Sequence, residues 1–396
     1  VFLFSILIGG YFWTKSYIRS EEFQKIVTHE IEKVVGGEVS VTGTEWDGWK
    51  LDCEAVQVLA AKKFSDLEVN RITVELDPRG LYDRVWRVSN VHVREVSVVV
   101  STEKLKAQEQ YQQKPAPVEF GVKDVGKAWL PREAEINNIT LENVNGVFDL
   151  EGIEGSWSNV KVQLKRESED YLLSTPSGEI VMDYYPDQSW EVIKVDGRVK
   201  SDAVFLNDVE LNSEGATLML TGEMDSASGV TVSGSLNDYP VERALPSDWK
   251  QKFSGRLMSS FTLRHADSHL DVKGKAEIEN ALLTALPVLD SIATFTKISK
   301  FRLIPFNTCE FDYKVKNDVI NIENIEMESK DFIKITGGME KNPETIQGAL
   351  QIGISDALMP RMPIGSKELF SRQEGGYNSS KLQMAVGRRI FQEGFS

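Results

Sequence analysis

The chain has 396 residues, enough for two or three domains, and its 41% hydrophobic and 27% charged residues exclude an intrinsically disordered polymer. A formal net charge of -15 repels phosphate backbones and argues against a nucleic-acid partner; it also gives no general attraction to anionic headgroups. Two cysteines, Cys53 and Cys309, with no C-x-x-C pair, exclude a structural zinc site and argue against a disulfide-rich secreted module.

Residues 1–13, VFLFSILIGGYFW, hold one polar side chain, Ser5. A spanning helix needs about 20 apolar residues, and the run opens without methionine, so further residues are expected before Val1. The competing readings are a buried core helix and the apolar part of a cleaved signal peptide. No small-x-small cleavage site follows, and Tyr11, Phe12 and Trp13 resemble an interfacial aromatic belt. Residues 1–19 are therefore expected to be part of a retained anchor, with Phe2, Leu3, Phe4, Ile6, Leu7, Ile8, Tyr11, Phe12 and Trp13 in the membrane. Lys15 and Arg19 alone would favour a cytoplasmic C-terminal side, so orientation stays open at this point.

Residues 20–35 predict an amphipathic helix. Ser20 can cap it, Glu21 and Glu22 suit its positive end, and Phe23, Ile26, Val27, Ile31, Val34 and Val35 share a face. Gly36 and Gly37 end it. The period then changes to two. Ile72, Val74 and Leu76 fall on one side of a strand, as do Val96, Val98 and Val100 on another. Short Gly-, Asn- and Asp-bearing connections predict an antiparallel meander, which with the helix makes an N-terminal module over residues 20–102.

Residues 103–135 are polar and Pro-containing and read as a linker or mobile loop. Strands resume at Ile136 and run through a β-repeat region, residues 136–280, with turn signals at roughly ten-residue spacing. One local repeat is visible: Val209-Glu210-Leu211 followed by LMLTGEM, and Ile325-Glu326-Met327 followed by IKITGGM. Residues 281–354 form a further module. Pro287 suits a first helical turn, and Leu286, Leu289, Ile292, Ala293 and Thr296 line one face, predicting a helix over residues 287–298 before strands return. The tail, residues 355–396, gives no assignment.

No catalytic constellation emerges. His265 and His269 are spaced i, i+4, but strand-like flanks place them around a turn rather than on a helix. No G-x-S-x-G, H-E-x-x-H, Walker loop or G-x-G-x-x-G occurs. Sixty acidic residues leave a carbohydrate-active carboxylate pair open without marking one. Trp46, Trp49, Trp86, Trp157 and Trp190 fit core packing or an apolar rim better than sugar stacking. Asn138 and Asn378 match the glycosylation triplet, which recurs often by chance.

Three stretches together resemble the AsmA-like family of bacterial envelope proteins. They are the apolar start followed by SEEFQKIVTHEIEKVVGGEVSVTG, the strand pair RITVELDPRGLYDRVWRVSNVHVREVSVVVS, and the strand–helix–strand run from AEIENALLTALPVLD to DFIKITGGM. The resemblance implies a mainly β protein: a long bent antiparallel sheet with an apolar groove, an N-terminal membrane helix and one or two short helices. It further implies an inner-membrane, single-pass protein with its bulk in the periplasm, and phospholipid movement between membranes or a role in outer-membrane assembly. It implies no catalytic residue and no cofactor. Ile72, Val74, Leu76, Val96, Val98 and Val100 are the expected groove lining, with phospholipid or another acyl-chain lipid as ligand. Thr73, Glu75, Glu95, Ser97 and Val99 should face away, Val99 breaking the polar pattern as if its strand were covered on both sides. The alternative is a non-catalytic scaffold of the same fold, with the groove closed by packing and the surface holding envelope proteins.

Overall fold

A computed structural model describes residues 38–59, 66–80, 85–101, 133–150, 153–182, 189–200, 202–225, 229–266, 269–284, 287–362, 368 and 370–387. The expected anchor and the helix over residues 20–35 lie outside these. No helix among the described residues is long and apolar enough to cross a membrane. The protein is mainly β, with mostly antiparallel strands and few short helices. It divides into two units, residues 1–201 and 202–396. The division falls within the region read from sequence as one β-repeat.

Unit 1 contributes β1 (Glu38–Asp47), β2 (Lys50–Leu59), β3 (Asp66–Leu76), β4 (Val85–Ser101), β5 (Glu133–Leu150), β6 (Ile153–Glu167), β7 (Asp170–Met182) and β8 (Ser189–Val199). Each pairs with the next, antiparallel in every case but one. β4 and β5 run parallel, with Val85 opposite Glu133 and Ser101 opposite Asp149. The sheet is thus mostly antiparallel, as expected, with this one pair running parallel. A two-residue hairpin can only reverse the chain, whereas residues 102–132 are long enough for the crossover that a parallel pair needs. β5 also begins three residues before Ile136, so the end of the expected linker is strand.

Unit 2 contributes β9 (Ala203–Ser213), β10 (Ala216–Asp225), β11 (Gly229–Pro240), helices α1 (Val241–Ala244) and α2 (Ser247–Lys250), β12 (Phe253–Ala266), β13 (His269–Thr284) and α3 (Pro287–Thr296). β14 (Leu303–Pro305), β15 (Thr308–Lys316), β16 (Val319–Ser329), β17 (Ile333–Lys341), β18 (Thr345–Ser355), β19 (Arg372–Glu374) and β20 (Tyr377–Gly387) complete it. Antiparallel pairing runs β9 to β13, then β15 to β18, then β20; β14 extends the far end of β13, and β19 flanks the start of β20. The tail without a sequence assignment thus supplies an edge strand paired with β18 along its whole length. The local repeat corresponds to two hairpins, β9–β10 and β16–β17. Each has a buried serine before its turn, Ser213 or Ser329, and a glycine, Gly222 or Gly337, at a register shift.

The largest described core lies in unit 2, where α3 and the 3₁₀ turn Ser299–Arg302 cover one end of the sheet. Ala293, Phe301, Ile304, Phe306, Phe332 and Ile333 are buried together, with Leu289 packed against them. The Phe301 and Phe332 rings sit 4.7 Å apart between centroids. Pro287 begins α3, where its missing N–H costs nothing. Lys297 ends the helix two residues sooner than the sequence pattern implied, because it adopts a φ of 58°. Replacing Phe301 by alanine is expected to destabilise unit 2 by about 3–5 kcal/mol, measured by urea unfolding. A loss below about 1 kcal/mol would show that this ring does not hold the cap in place.

Candidate functional site

Residues directly opposite one another on neighbouring strands project to the same face, so register reveals what each face carries. In unit 1 the register builds apolar rows that run across the strands. Val74 pairs with Leu51 and Val91, and the row continues through Ile139 to Leu164 and Leu173. Ile72 pairs with Cys53 and Val93, continuing to Leu141 and Val162. Val96 lies between Val69 and Val144, and Val160 follows. Val98 lies between Leu67 and Gly146, followed by Trp157, Ile180 and Trp190. Leu76 pairs with Val88, and Val100 with Phe148. Of the six residues singled out from sequence, Val96 is buried and Ile72, Val74, Leu76, Val98 and Val100 are half-buried.

Strict alternation would put Ile72 and Val69 on opposite faces, yet both pack against the cluster of Val39, Cys53, Val56 and Val58. A seam across the sheet resolves this. Pairing lapses at one position on each of five adjacent strands: Gly43, Glu54, Arg71, Arg94 and Glu142. Gly43 and Arg71 take φ values of 64° and 56° there. Apolar residues step by three across the seam, from Cys53 to Val56, Val69 to Ile72, Val93 to Val96 and Leu141 to Val144. The apolar face is thereby restored on the far side. The sequence signal was the adjacent charged pair Arg94–Glu95, both exposed between buried Val93 and Val96.

The opposite face is polar. Thr73 pairs with Asp52 and His92, and the row continues through Thr140, Gln163 and Ser174 to Asp196. The Thr73 hydroxyl donates to Asp52 Oδ1 at 2.6 Å and holds that carboxyl below its usual range. Glu75 lies beside Asn90, Glu95 beside Asn70 and Asn143, and Ser97 beside Glu68 and Asn145. Val99 is the exception, between Asp66 and Val147. Val147 is 50% exposed and Val99 half-buried, so the described residues do not bury this row.

Unit 2 repeats the division. Val209, Leu220, Gly234, Phe261, Gly274, Tyr313, Ile322 and Met339 form one row, and Leu206, Gly222, Val232, Leu263, Val272, Val315 and Ile320 the next. Behind them run Thr221, Ser233, Thr262, Lys273, Lys314 and Asn321. A concavity of about 550 Å³ in unit 2 has a mixed lining, with polar Asn321, Glu323, Glu340, Gln347 and Gln383 beside apolar Ile322, Met339 and Ala349.

Four aromatic residues on the apolar rows lie across glycines of the adjacent strand: Trp157 over Gly146, Phe148 over Gly155, Phe261 over Gly234 and Tyr313 over Gly274. A Cβ at Gly146 would sit 2.3 Å from Trp157 Cζ2, and one at Gly274 would sit 2.6 Å from Tyr313 Cζ. The missing side chain lets each ring lie down on the sheet instead of standing off it. Phe148 and Trp157 stack at 5.9 Å. This device needs the register to be known, so sequence alone could not disclose it. Of the other tryptophans, Trp190 is 8% exposed and Trp49 is 48% exposed, while the side chains of Trp46 and Trp86 lie outside the description.

His265 pairs with Leu270 and Ala266 with His269, so the two imidazoles project to opposite faces and do not converge. Among the described residues no group of three or more His, Cys, Asp or Glu side chains is placed to hold a metal ion. Both cysteines are buried free thiols. Burial pushes the Cys309 thiol up to about 12 and raises that of Cys53. No protein-family model, curated protein or solved structure matches the chain.

The thiolate is the reactive form, so both cysteines should resist alkylation at pH 8 in the folded protein and react within minutes in denaturant. Mass spectrometry reads the two rates, and rapid labelling of native Cys309 would contradict its placement under the α3 cap.

Proposed function

We propose that this protein is a non-catalytic lipid carrier whose sheet binds acyl chains along its apolar face. The observation that carries the reading is the set of apolar rows crossing the strands of unit 1, backed by polar rows and made mostly of half-buried side chains. A face closed by a second layer would bury Val74, Val98 and Trp157. Their partial exposure is what an open groove offers to a ligand.

The energetics favour a continuous surface over a compact pocket. Each CH₂ is worth about 0.8 kcal/mol, so removing a 16-carbon chain from a bilayer costs on the order of 12 kcal/mol. Rows of Val, Ile and Leu offset that cost without any fixed polar contact, and flat-lying rings keep the floor clear. The ligand is then read by its chains and not by its headgroup. With the apolar segment of residues 1–19 as an inner-membrane anchor and the sheets in the periplasm, the chain would move phospholipid between membranes. That is the role implied by its resemblance to AsmA-like proteins.

A photoreactive residue at Val74 or Val98 should crosslink to acyl chains strongly, and one at Thr73 or Ser97 weakly. Val98→Asp places a carboxylate where hydrocarbon would pass, costing several kcal/mol while it stays ionised, and should abolish lipid transfer between vesicles. Equal labelling of the two faces would refute the groove. Unlabelled faces in a chain that still supports envelope assembly would establish the scaffold role instead.

A further inference from the structure

Away from the apolar rows, unit 2 carries a second surface at the end of the sheet where α3 sits. Trp249 in α2 is 43% exposed, and Leu303, which begins β14, is 51% exposed. A short hydrogen-bonded path joins them. Thr284 N–H donates to Lys252 O at 2.8 Å, its hydroxyl donates to Gln251 O at 3.0 Å, and Thr284 pairs with Leu303. Lys252 N–H in turn donates to Trp249 O at 2.9 Å. Trp249 and Leu303 therefore belong to one patch a few strand spacings across.

The patch reverses the charge of the protein around it. Residues 245–252 and 287–305 carry five basic side chains, Lys250, Lys252, Lys297, Lys300 and Arg302, against two acidic ones, Asp248 and Asp290, in a chain of net charge -15. The adjoining turn adds one of each sign, Lys330 and Asp331. Arg302 is engaged by Asp290 at 2.7 Å, and Lys252 lies 5.6 Å from the Trp249 ring centroid. Lys250, Lys297 and Lys300 are exposed, and the Lys300 ammonium lies 4.6 Å from the Phe332 ring centroid.

We propose that this tip docks on a membrane leaflet rich in anionic phospholipid. A single exposed tryptophan needs no explanation. An amphipathic ring and a leucine set among lysines, however, match what an anionic interface selects: an apolar wedge for the acyl boundary and cations for the headgroups. Charge complementarity picks the partner, since the acidic remainder of the protein is repelled by the same surface. The docking site is separate from the lipid-binding face and holds whether or not that face carries lipid.

The test uses the full chain with an environment-sensitive fluorophore on Ser247→Cys. The native thiols, both buried, do not compete for the label. Vesicles of phosphatidylglycerol and phosphatidylethanolamine should raise and blue-shift emission at this position, while the same label on Glu344→Cys, an exposed turn residue, stays unchanged. Each lysine near an anionic surface is worth about fivefold in binding, so Lys250→Glu with Lys300→Glu should weaken the response more than tenfold. Half-molar salt should do likewise in the unmutated chain, which covers any misfolding of the variant. An unresponsive label at position 247, an equal response at position 344, or an equal response to phosphatidylcholine vesicles would overturn the proposal.

Discussion

Everything in this structure depends on one geometric constraint: successive side chains of a strand point to opposite faces, and paired residues point the same way. A sheet that keeps one face apolar must hold that register across every strand, because a one-residue slip exchanges the two faces. Unit 1 holds it from Leu51 on β2 to Leu173 on β7, and through a parallel pair as well as antiparallel ones. The seam at Gly43, Glu54, Arg71, Arg94 and Glu142 fits the same constraint. A single strand that skipped one position would expose its valines on the wrong side. Because neighbouring strands skip together, each face keeps its character across the break. The left-handed conformation of Arg71 is a local cost tolerated for that coherence.

The two units use their apolar faces differently. In unit 2, one end of the face is covered by α3 and the following 3₁₀ turn, which bury Phe301, Ile304 and Phe332. The rows further along, through Phe261, Tyr313 and Ile322, stay half-buried. Packing therefore supplies stability at one end and leaves apolar surface at the other. The recurring glycine–aromatic pairs serve both needs. A ring lying on Gly146 or Gly274 buries its own surface against backbone while projecting little above the sheet. Bulkier residues at those glycines would lift the rings and roughen the face.

Much of the architecture was legible in the sequence, for identifiable reasons. Period-two alternation marked the strands at Ile72 to Leu76 and Val96 to Val100, and proline at a first turn marked α3. Alternation is blind to pairing partners, however, so it assigned β4 and β5 to modules on either side of a linker without showing that they are parallel neighbours. Alternation also cannot follow a phase break. Val93 and Val96 share a face only because Arg94 is spent at the seam, after which Glu95 pairs on the polar side. β20 escaped notice because its opening, Tyr377-Asn378-Ser379-Ser380-Lys381, is polar, as suits a strand with one long neighbour. The six candidate residues were chosen by spacing alone. Their membership in rows that extend over several strands required the register.

The central claim is that an apolar face without fixed polar contacts binds lipid by its chains. Native mass spectrometry of the full chain, released from detergent and compared with a Leu67→Glu, Val98→Glu double variant, tests it most directly. The account predicts phospholipid bound to the unmodified chain in several headgroup types, with fewer copies on the variant. A lipid-free chain, a single headgroup species, or equal loading of the two proteins would contradict it.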